Sequence, residues 1–145
     1  MESESCQREP KPIPRPNADT RLFWEACNRE ELVYQYCPAC NRVQFYPRAC
    51  CTQCGGSSLE WRKSAGLGSI YTFTINFRAP SPAFAPEVPY VIALVDLDEG
   101  FRLMLNVLDC HSEMVRIGQR VRIVYEVRDG QKIPQAVPAE SHLSP

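Results

Sequence analysis

The sequence predicts a mainly β fold in which an N-terminal helix and a small cysteine-rich ribbon precede a five-stranded barrel. Two Cys-x-x-Cys pairs, separated by ten residues, lie in the first half of the chain. After them, apolar and polar residues alternate in short segments bounded by glycine and proline, which is the pattern of β-strands. Helical spacing of apolar residues is clear in one short segment ahead of the cysteines.

Length and charge restrict what the chain can be. Its 145 residues suffice for one moderate domain or two small ones, and the formal net charge of -1 gives no overall attraction for nucleic acid or anionic membranes. No apolar run reaches the roughly 20 residues of a membrane span, and the first residues lack the basic and apolar regions of a signal peptide. We therefore expect a cytoplasmic protein whose paired cysteines bind metal rather than form disulfides.

Residues 1–18 predict an extended arm. Prolines at positions 10, 12, 14 and 16 prevent a helix and favour a polyproline-like conformation. The arm either drapes over a partner or is disordered in the isolated chain, and disorder is slightly favoured.

Residues 19–31 predict a short helix that Asn17 or Asp19 can cap. Four apolar side chains are expected on one face of it: Leu22, Phe23, Ala26 and Cys27. So short a helix is stable only when it is docked. The aromatic pair Phe23 and Trp24 therefore either anchors the helix to the ribbon or grips another subunit.

Residues 32–64 predict a zinc ribbon of the rubredoxin type. Its two cysteine pairs supply four ligands for one ion: Cys37, Cys40, Cys51 and Cys54. Four thiolates fill the coordination sphere of a tetrahedral Zn²⁺, so the site is expected to be structural and unable to activate water. Iron in a redox centre would use the same ligands and is the rival interpretation. Cys50 breaks the repeated spacing and is expected to bind no metal.

Residues 65–139 predict a Greek-key barrel of the OB type, followed by a loose tail over residues 140–145. In the first strand, alternation places Tyr71, Phe73 and Phe77 on the face that should pack in the core. The next connection, residues 78–89, holds four prolines and is longer than a hairpin needs, which is typical of functional loops. Four further strands and one helical turn complete the barrel.

Groups for independent catalysis are scarce. His111 falls in a predicted turn and His142 in the tail, and adjacency of Cys110 to His111 does not make a nucleophile and base. The barrel segment carries seven basic and eight acidic residues, so it lacks the positive groove of a single-strand binder. We assign no catalytic residue, and a single-stranded nucleic-acid-binding module is kept as the alternative function.

Five motifs follow one another between residues 20 and 139: Phe23-Trp24-Glu25-Ala26, Cys37-Pro38-Ala39-Cys40, Pro47-Arg48 before Cys51, Gly66-Leu67-Gly68-Ser69 and Pro89-Tyr90-Val91. In this order they resemble the small zinc-ribbon and OB-fold subunits that accompany thiolases. The resemblance implies a non-catalytic accessory subunit with structural zinc. Its partner would be a thiolase or thiolase-like enzyme that cleaves or forms β-ketoacyl-CoA, in a hetero-oligomer such as a heterotetramer, with no nucleic acid or membrane bound.

The resemblance also suggests roles for individual side chains. Phe23, Trp24 and Phe84 would contact the catalytic partner. Four basic residues of the ribbon would meet the phosphates of CoA: Arg42, Arg48, Arg62 and Lys63. The family usually has a glycine just before the leucine that begins the first ribbon strand, whereas this chain has Glu30 and Glu31 there, so the helix is expected to end differently.

Overall fold

A computed structural model of the chain describes residues 9–139. The first eight residues of the predicted arm, the predicted tail and His142 lie outside this range. The elements follow in this order: α1 Arg21–Asn28, β1 Val33–Cys37, β2 Arg42–Gln44, β3 Glu60–Lys63, β4 Leu67–Asn76, a 3-10 helix Pro82–Glu87, β5 Tyr90–Leu97, β6 Arg102–Val107, a 3-10 helix Ser112–Met114, β7 Arg120–Arg128 and β8 Gln131–Pro138. The predicted fold class is confirmed. Over residues 9–139, no helix has the length and apolar character needed to cross a membrane.

Helix α1 is shorter than the predicted segment and is organised by Asn17. The Asn17 side-chain oxygen accepts hydrogen bonds from the backbone N–H groups of Asp19 and Thr20, each at 3.0 Å. At the other end Glu30 adopts a left-handed conformation with φ of 57°, which glycine adopts at less cost. The unusual helix exit expected from the sequence is therefore a glutamate in a conformation that suits glycine.

The buried face of α1 is narrower than predicted. Phe23, Ala26 and Cys27 are buried, whereas Leu22 is 46% exposed. The helix has only two turns, and the three buried positions already span the side that meets the core, so Leu22 points to solvent. Burial raises the pKa of the Cys27 thiol to about 12, which keeps it an uncharged core residue.

The ribbon is a three-stranded antiparallel sheet in the order β2-β1-β3. Cys37 lies opposite Arg42 on β2, and Tyr34 lies opposite Arg62 on β3. Because β1 is central, its two neighbours satisfy its backbone on both sides. The first cysteine pair begins with Cys37, the last residue of this central strand.

The second half of the chain forms a closed barrel in the order β4-β5-β6-β8-β7, with β7 returning to β4. Inward side chains of β5 and β6 alternate with outward ones and fill its core: Val91, Ala93, Val95, Leu97, Leu103, Leu105 and Val107. Gly68 lets β4 cross close to β5, because a Cβ there would lie 2.4 Å from the carbonyl oxygen of Asp96. The glycine of this motif is thus required by packing.

A β-bulge corrects the predicted orientation of β4. Ile70 pairs with Val95 and Thr72 with Leu94, so Tyr71 is an extra residue between two paired positions. The bulge reverses the alternation, and Tyr71 is 52% exposed although Ile70 and Phe73 face the core. Phe77 lies beyond the end of the strand and is 72% exposed. The expectation that Tyr71 and Phe77 pack in the core was wrong.

The helix, the ribbon and the barrel share one hydrophobic core. Tyr34 of β1 stacks on Phe101 of the barrel with ring centroids 4.8 Å apart. Glu99 accepts hydrogen bonds from the Ser64 hydroxyl at 2.6 Å and from the Ala65 backbone N–H at 2.8 Å, which fixes the exit of the ribbon. On the other side, the backbone N–H of Lys132 donates to the side chain of Asn28 at 2.9 Å. The three parts are therefore packed against one another around a common core.

Candidate metal centre and contact surfaces

The four predicted ligand cysteines meet at one end of the ribbon. Their Sγ atoms all lie within 4.8 Å of one another, and two pairs, Cys37 with Cys54 and Cys40 with Cys51, are 3.6 Å apart. Sulfurs bound to one tetrahedral zinc ion at about 2.3 Å lie roughly 3.8 Å apart, so the arrangement fits this ion. Cys50 is exposed and does not belong to the cluster.

Backbone N–H groups in the second knuckle favour the thiolate forms. The N–H of Gln53 donates to Cys51 Sγ at 3.4 Å, and the N–H of Gly56 donates to Cys54 Sγ at the same distance. Hydrogen bonds from the backbone of Cys54 and Gln53 lower the pKa of Cys51 to about 6, whereas burial and hydrogen bonds with the other thiols raise the pKa of Cys40 to about 12. Gly55, with φ of 75°, permits the tight turn that aims these groups at sulfur.

Two glutamines that were not predicted as functional from the sequence position the second knuckle. Gln35 is 4% exposed; its side chain donates to the carbonyl oxygen of Arg48 and accepts from the Arg48 N–H, both at 2.9 Å. Gln44 donates to Gln35 at 2.8 Å and accepts from the N–H of Thr52 at 2.9 Å. In the sequence, each of these glutamines stands between apolar residues in a short strand, and that pattern could have indicated their structural role.

The basic residues of the ribbon do not form one cluster. The Arg62 guanidinium lies 3.5 Å from the centroid of the Tyr36 ring, and the Arg48 guanidinium lies 5.4 Å from that of Tyr46. Lys63 follows Arg62 on β3, so it points to the opposite face, where it lies 3.8 Å from Glu31. Arg42 is exposed on β2. A single phosphate could therefore not engage both Arg62 and Lys63.

The three predicted partner-contacting aromatic residues lie in different environments. Phe23 is 2% exposed and packs edge-on against Phe45 with centroids 5.0 Å apart, so it serves the core. Trp24 is half-buried and lines a surface groove. Phe84 belongs to the 3-10 helix Pro82–Glu87, where its ring lies 6.2 Å from that of Tyr90. Phe23 is buried and docks the helix on the core. Of the two aromatic residues of the helix, only Trp24 therefore reaches the surface.

The N-terminal arm is tied to the barrel over its described part. Lys11 forms ion pairs with Glu87 and with Glu126, the latter at 2.8 Å, and Arg128 donates to the carbonyl oxygen of Pro12 at 3.4 Å. Burial would raise the pKa of Glu126, but hydrogen bonds from Arg128, Lys11 and Gln135 outweigh it and lower the pKa to about 2. The favoured expectation of a disordered arm is thus wrong for residues 9–16.

No group among residues 9–139 completes a catalytic arrangement with His111. His111 is exposed, and the Cys110 thiol donates a hydrogen bond to the backbone carbonyl oxygen of His111 at 3.5 Å. The clustered metal-ligating groups in this part of the chain are the four cysteines. The cysteine cluster is thus the candidate metal centre of the described residues.

Comparisons with known proteins identify the family that has this architecture. Residues 24–60 match the ChsH2 rubredoxin-like zinc ribbon domain, and residues 61–126 match the ChsH2 C-terminal OB-fold domain. The chain belongs to the ChsH2 family. The family expected from the sequence motifs is thereby confirmed.

Relatives within and around the ChsH2 family differ in length. A probable enoyl-CoA hydratase alpha subunit from Thermomonospora curvata is 37% identical over 122 residues, which cover 82% of this chain and 38% of that protein. A DUF35 domain-containing scaffold protein from Methanocaldococcus jannaschii is 37% identical over 95 residues, 65% of this chain and 67% of that protein. The structure of the Ltp2-ChsH2(DUF35) aldolase includes a chain that superposes with a TM-score of 0.79 at 34% identity, covering 87% of this chain and 98% of that one.

Proposed function

We propose that this chain is a non-catalytic accessory subunit that binds a thiolase or thiolase-like enzyme and supports its cleavage or formation of β-ketoacyl-CoA. The observation that carries the proposal is the match to nearly the whole ChsH2(DUF35) chain of an aldolase. The name of the Thermomonospora relative, an enoyl-CoA hydratase subunit, supports an acyl-CoA substrate for the complex. A cytoplasmic location is part of the proposal, since the cysteine pairs suit a reducing compartment.

Zinc has a structural role in this proposal. Cys37, Cys40, Cys51 and Cys54 would hold one Zn²⁺, which when bound supplies a fourfold cross-link between the two knuckles. Four thiolates leave no coordination position for a substrate, so the ion would shape the ribbon and take no part in chemistry. Catalytic groups would come from the partner.

Contacts to the partner and to CoA follow as further parts of the proposal. Trp24, which lines a surface groove, would contact the partner directly, whereas Phe84 would act through the position of its 3-10 helix. Among the basic residues, Arg42 and Arg48 are exposed without a carboxylate partner among residues 9–139, and we propose these two for CoA phosphates ahead of Arg62 and Lys63.

Co-expression with the thiolase-type subunit encoded in the same genome tests the proposal. We expect a stable heteromer, and we expect acyl-CoA cleavage by the thiolase-type subunit to fall to background when this chain is omitted. Size-exclusion chromatography with light scattering measures assembly, and release or consumption of free CoA measures the reaction. Full activity of the thiolase-type subunit alone would contradict the accessory role.

The alternative, a single-stranded nucleic-acid module, has weaker support. The Tyr71 ring is covered by the Arg102 guanidinium at 3.7 Å, and Arg102 is itself paired with Asp96 at 2.6 Å. Arg120 is likewise paired with Asp98 at 2.8 Å. Ring faces and cations that are already engaged are poor stacking and phosphate sites. Salt-sensitive binding of a single-stranded oligonucleotide would nevertheless favour this alternative and is measured by fluorescence anisotropy.

A further inference from the structure

An apolar surface extends from the junction of helix, ribbon and barrel onto the outer face of β4, β5 and β6. A groove of about 260 Å³ is lined by eight residues, none of them charged: Phe23, Trp24, Phe45, Tyr46, Leu103, Met104, Ile133 and Pro134. A shallow hollow of about 320 Å³ on the sheet face is lined by Thr72, Phe73, Thr74, Ile92, Ala93, Leu94 and Met104. Met104 lines both and is 69% exposed. We call this continuous area the Met104 surface.

Strand geometry explains why the Met104 surface is apolar on the outside. Along β5 and β6 the inward positions are filled by buried aliphatic side chains, and Ile92, Leu94 and Met104 occupy the alternate, outward positions. Met104 lies directly opposite Leu94 in the sheet. The solvent face of an antiparallel sheet is ordinarily polar, so three large apolar residues there mark an interaction surface.

The ion pair beside the sheet face of this surface is neutral overall. Arg102 lies two residues before Met104 on β6, and Asp96 lies two residues after Leu94 on β5. The two side chains form a bidentate ion pair, with N···O distances of 2.6 and 3.2 Å. The residues that line the groove and the hollow are all uncharged, and the Arg48 guanidinium lies at the edge of the groove, 5.4 Å from the Tyr46 ring. The lining therefore complements a neutral, apolar protein face rather than phosphate groups.

The shape of the surface distinguishes between two protein occupants. A two-fold dimer would place the Met104 surface against itself. Two concave areas facing each other leave a void, which loses dispersion contacts and is destabilising. A different protein with a convex apolar face fills the groove and the hollow.

We propose that the Met104 surface is the docking surface for the catalytic subunit, which presents a neutral, convex apolar face to it. The inference rests on the proposed function and adds where the partner binds. Trp24 of the helix, Tyr46 of the ribbon and Met104 of the barrel all line the groove, so one partner would contact all three parts at once. Methionine at the centre suits such a contact because its unbranched side chain adapts to the opposing surface.

The test compares two methionine-to-glutamate variants of the zinc-loaded full chain. Met104→Glu places a charge at the centre of the proposed contact, whereas Met114→Glu makes the same change at a site that is 59% exposed and lies outside it. Thr74→Lys is a second variant on the sheet face that removes no apolar contact. Each is titrated by calorimetry against the purified thiolase-type subunit, after zinc content and the far-UV spectrum have confirmed a native fold.

We expect Met104→Glu and Thr74→Lys to weaken binding at least about tenfold, as charges buried at an interface centre do, and Met114→Glu to bind like wild type. Wild-type affinity of Met104→Glu would overturn the docking surface but leave the accessory role intact. Absence of binding by the wild-type chain would overturn the accessory role and the inference with it. Self-association that Met104→Glu abolishes, without an effect on partner binding, would assign the surface to a second copy and also overturn the inference.

Discussion

The ribbon and the barrel reach a fixed structure by different means. The barrel closes its backbone hydrogen bonds on themselves and encloses side chains such as Val95 and Val121, each with 0% exposure. The ribbon has three strands of three to five residues, and its most buried polar group, Gln35, only orients a loop. We therefore expect the barrel to depend mainly on its own packing, and the ribbon to depend on a bound metal ion in addition to the core that it shares with the barrel.

This difference has a consequence for the surface that the two parts build together. Tyr46 of the ribbon and Met104 of the barrel line the same groove. A change confined to the metal centre should therefore alter the groove from one side while the sheet face stays intact. Separate perturbations of the two parts can test how independent they are.

Loss of one metal ligand should have the largest effect. In Cys51→Ser the ribbon loses zinc-binding free energy that is on the order of 10 kcal/mol in small zinc domains, so we expect it to unfold while the barrel keeps its structure. Metal analysis and two-dimensional amide spectra measure this. Cys50→Ser, which changes the exposed neighbour, should retain zinc. A native ribbon spectrum with one bound zinc in Cys51→Ser would show that the ribbon does not depend on its metal.

Gly68→Ala perturbs the barrel and leaves the ribbon unchanged. Its added Cβ would lie 2.4 Å from the Asp96 carbonyl oxygen, so β4 and β5 must separate. We expect a loss of about 2 to 4 kcal/mol in the free energy of unfolding, with zinc content unchanged. Urea titration followed by a barrel signal gives the value. Thr74→Ala, exposed on the same strand, should cost less than about 0.5 kcal/mol; equal costs for the two variants would refute the close-approach explanation.

Acid should weaken the barrel through Glu126. Its pKa is lowered from 4.5 to about 2 in the folded state, so the stabilisation is present above about pH 4.5 and is lost as the pH falls toward 2. We expect Glu126→Gln to be less stable than wild type by about 2 kcal/mol near neutral pH, and this difference to vanish at low pH. Because both proteins lose zinc in acid, the difference between them isolates the barrel. A difference independent of pH would contradict the assignment.

The smallest effect is expected from release of the arm. Lys11→Met keeps the apolar stem but removes the ion pairs to Glu87 and Glu126, which should cost about 1 kcal/mol or less. The clearer result should be faster hydrogen exchange in the 3-10 helix Pro82–Glu87, measured by mass spectrometry. Arg15→Met, an exposed change in the same arm, serves as the control. Unchanged exchange in Lys11→Met would mean that the arm does not hold this helix.

The sequence was sufficient for the parts whose signal is local. Cysteine spacing identified the four sulfurs that the structure brings together, and alternation with turn residues identified the barrel. The family followed from ordered motifs. These features depend on neighbours within a few residues, where spacing and backbone geometry are tightly linked.

Features that depend on distant contacts were missed or misjudged. The bulge at Tyr71 reflects how β4 pairs with β5, and alternation within one strand does not reveal it. Lys11 meets Glu126 across 115 positions of the chain. The Met104 surface was not identified either, because an outward aliphatic residue in a strand has the same sequence pattern as an inward one until the register of its neighbours is known.

The pairing of the last strand also dictates the order in which the chain can acquire its structure during synthesis. β8 joins β6 and β7, so the barrel cannot close until residue 138 has left the ribosome, whereas the ribbon is complete at residue 63. Helix α1 is made first and can pack on Phe45 of the ribbon, but its contacts with β8, such as that of Asn28, form last. The complete ribbon can therefore be present while the side of the helix that meets β8 is still uncovered, an interval in which chaperone binding would matter most.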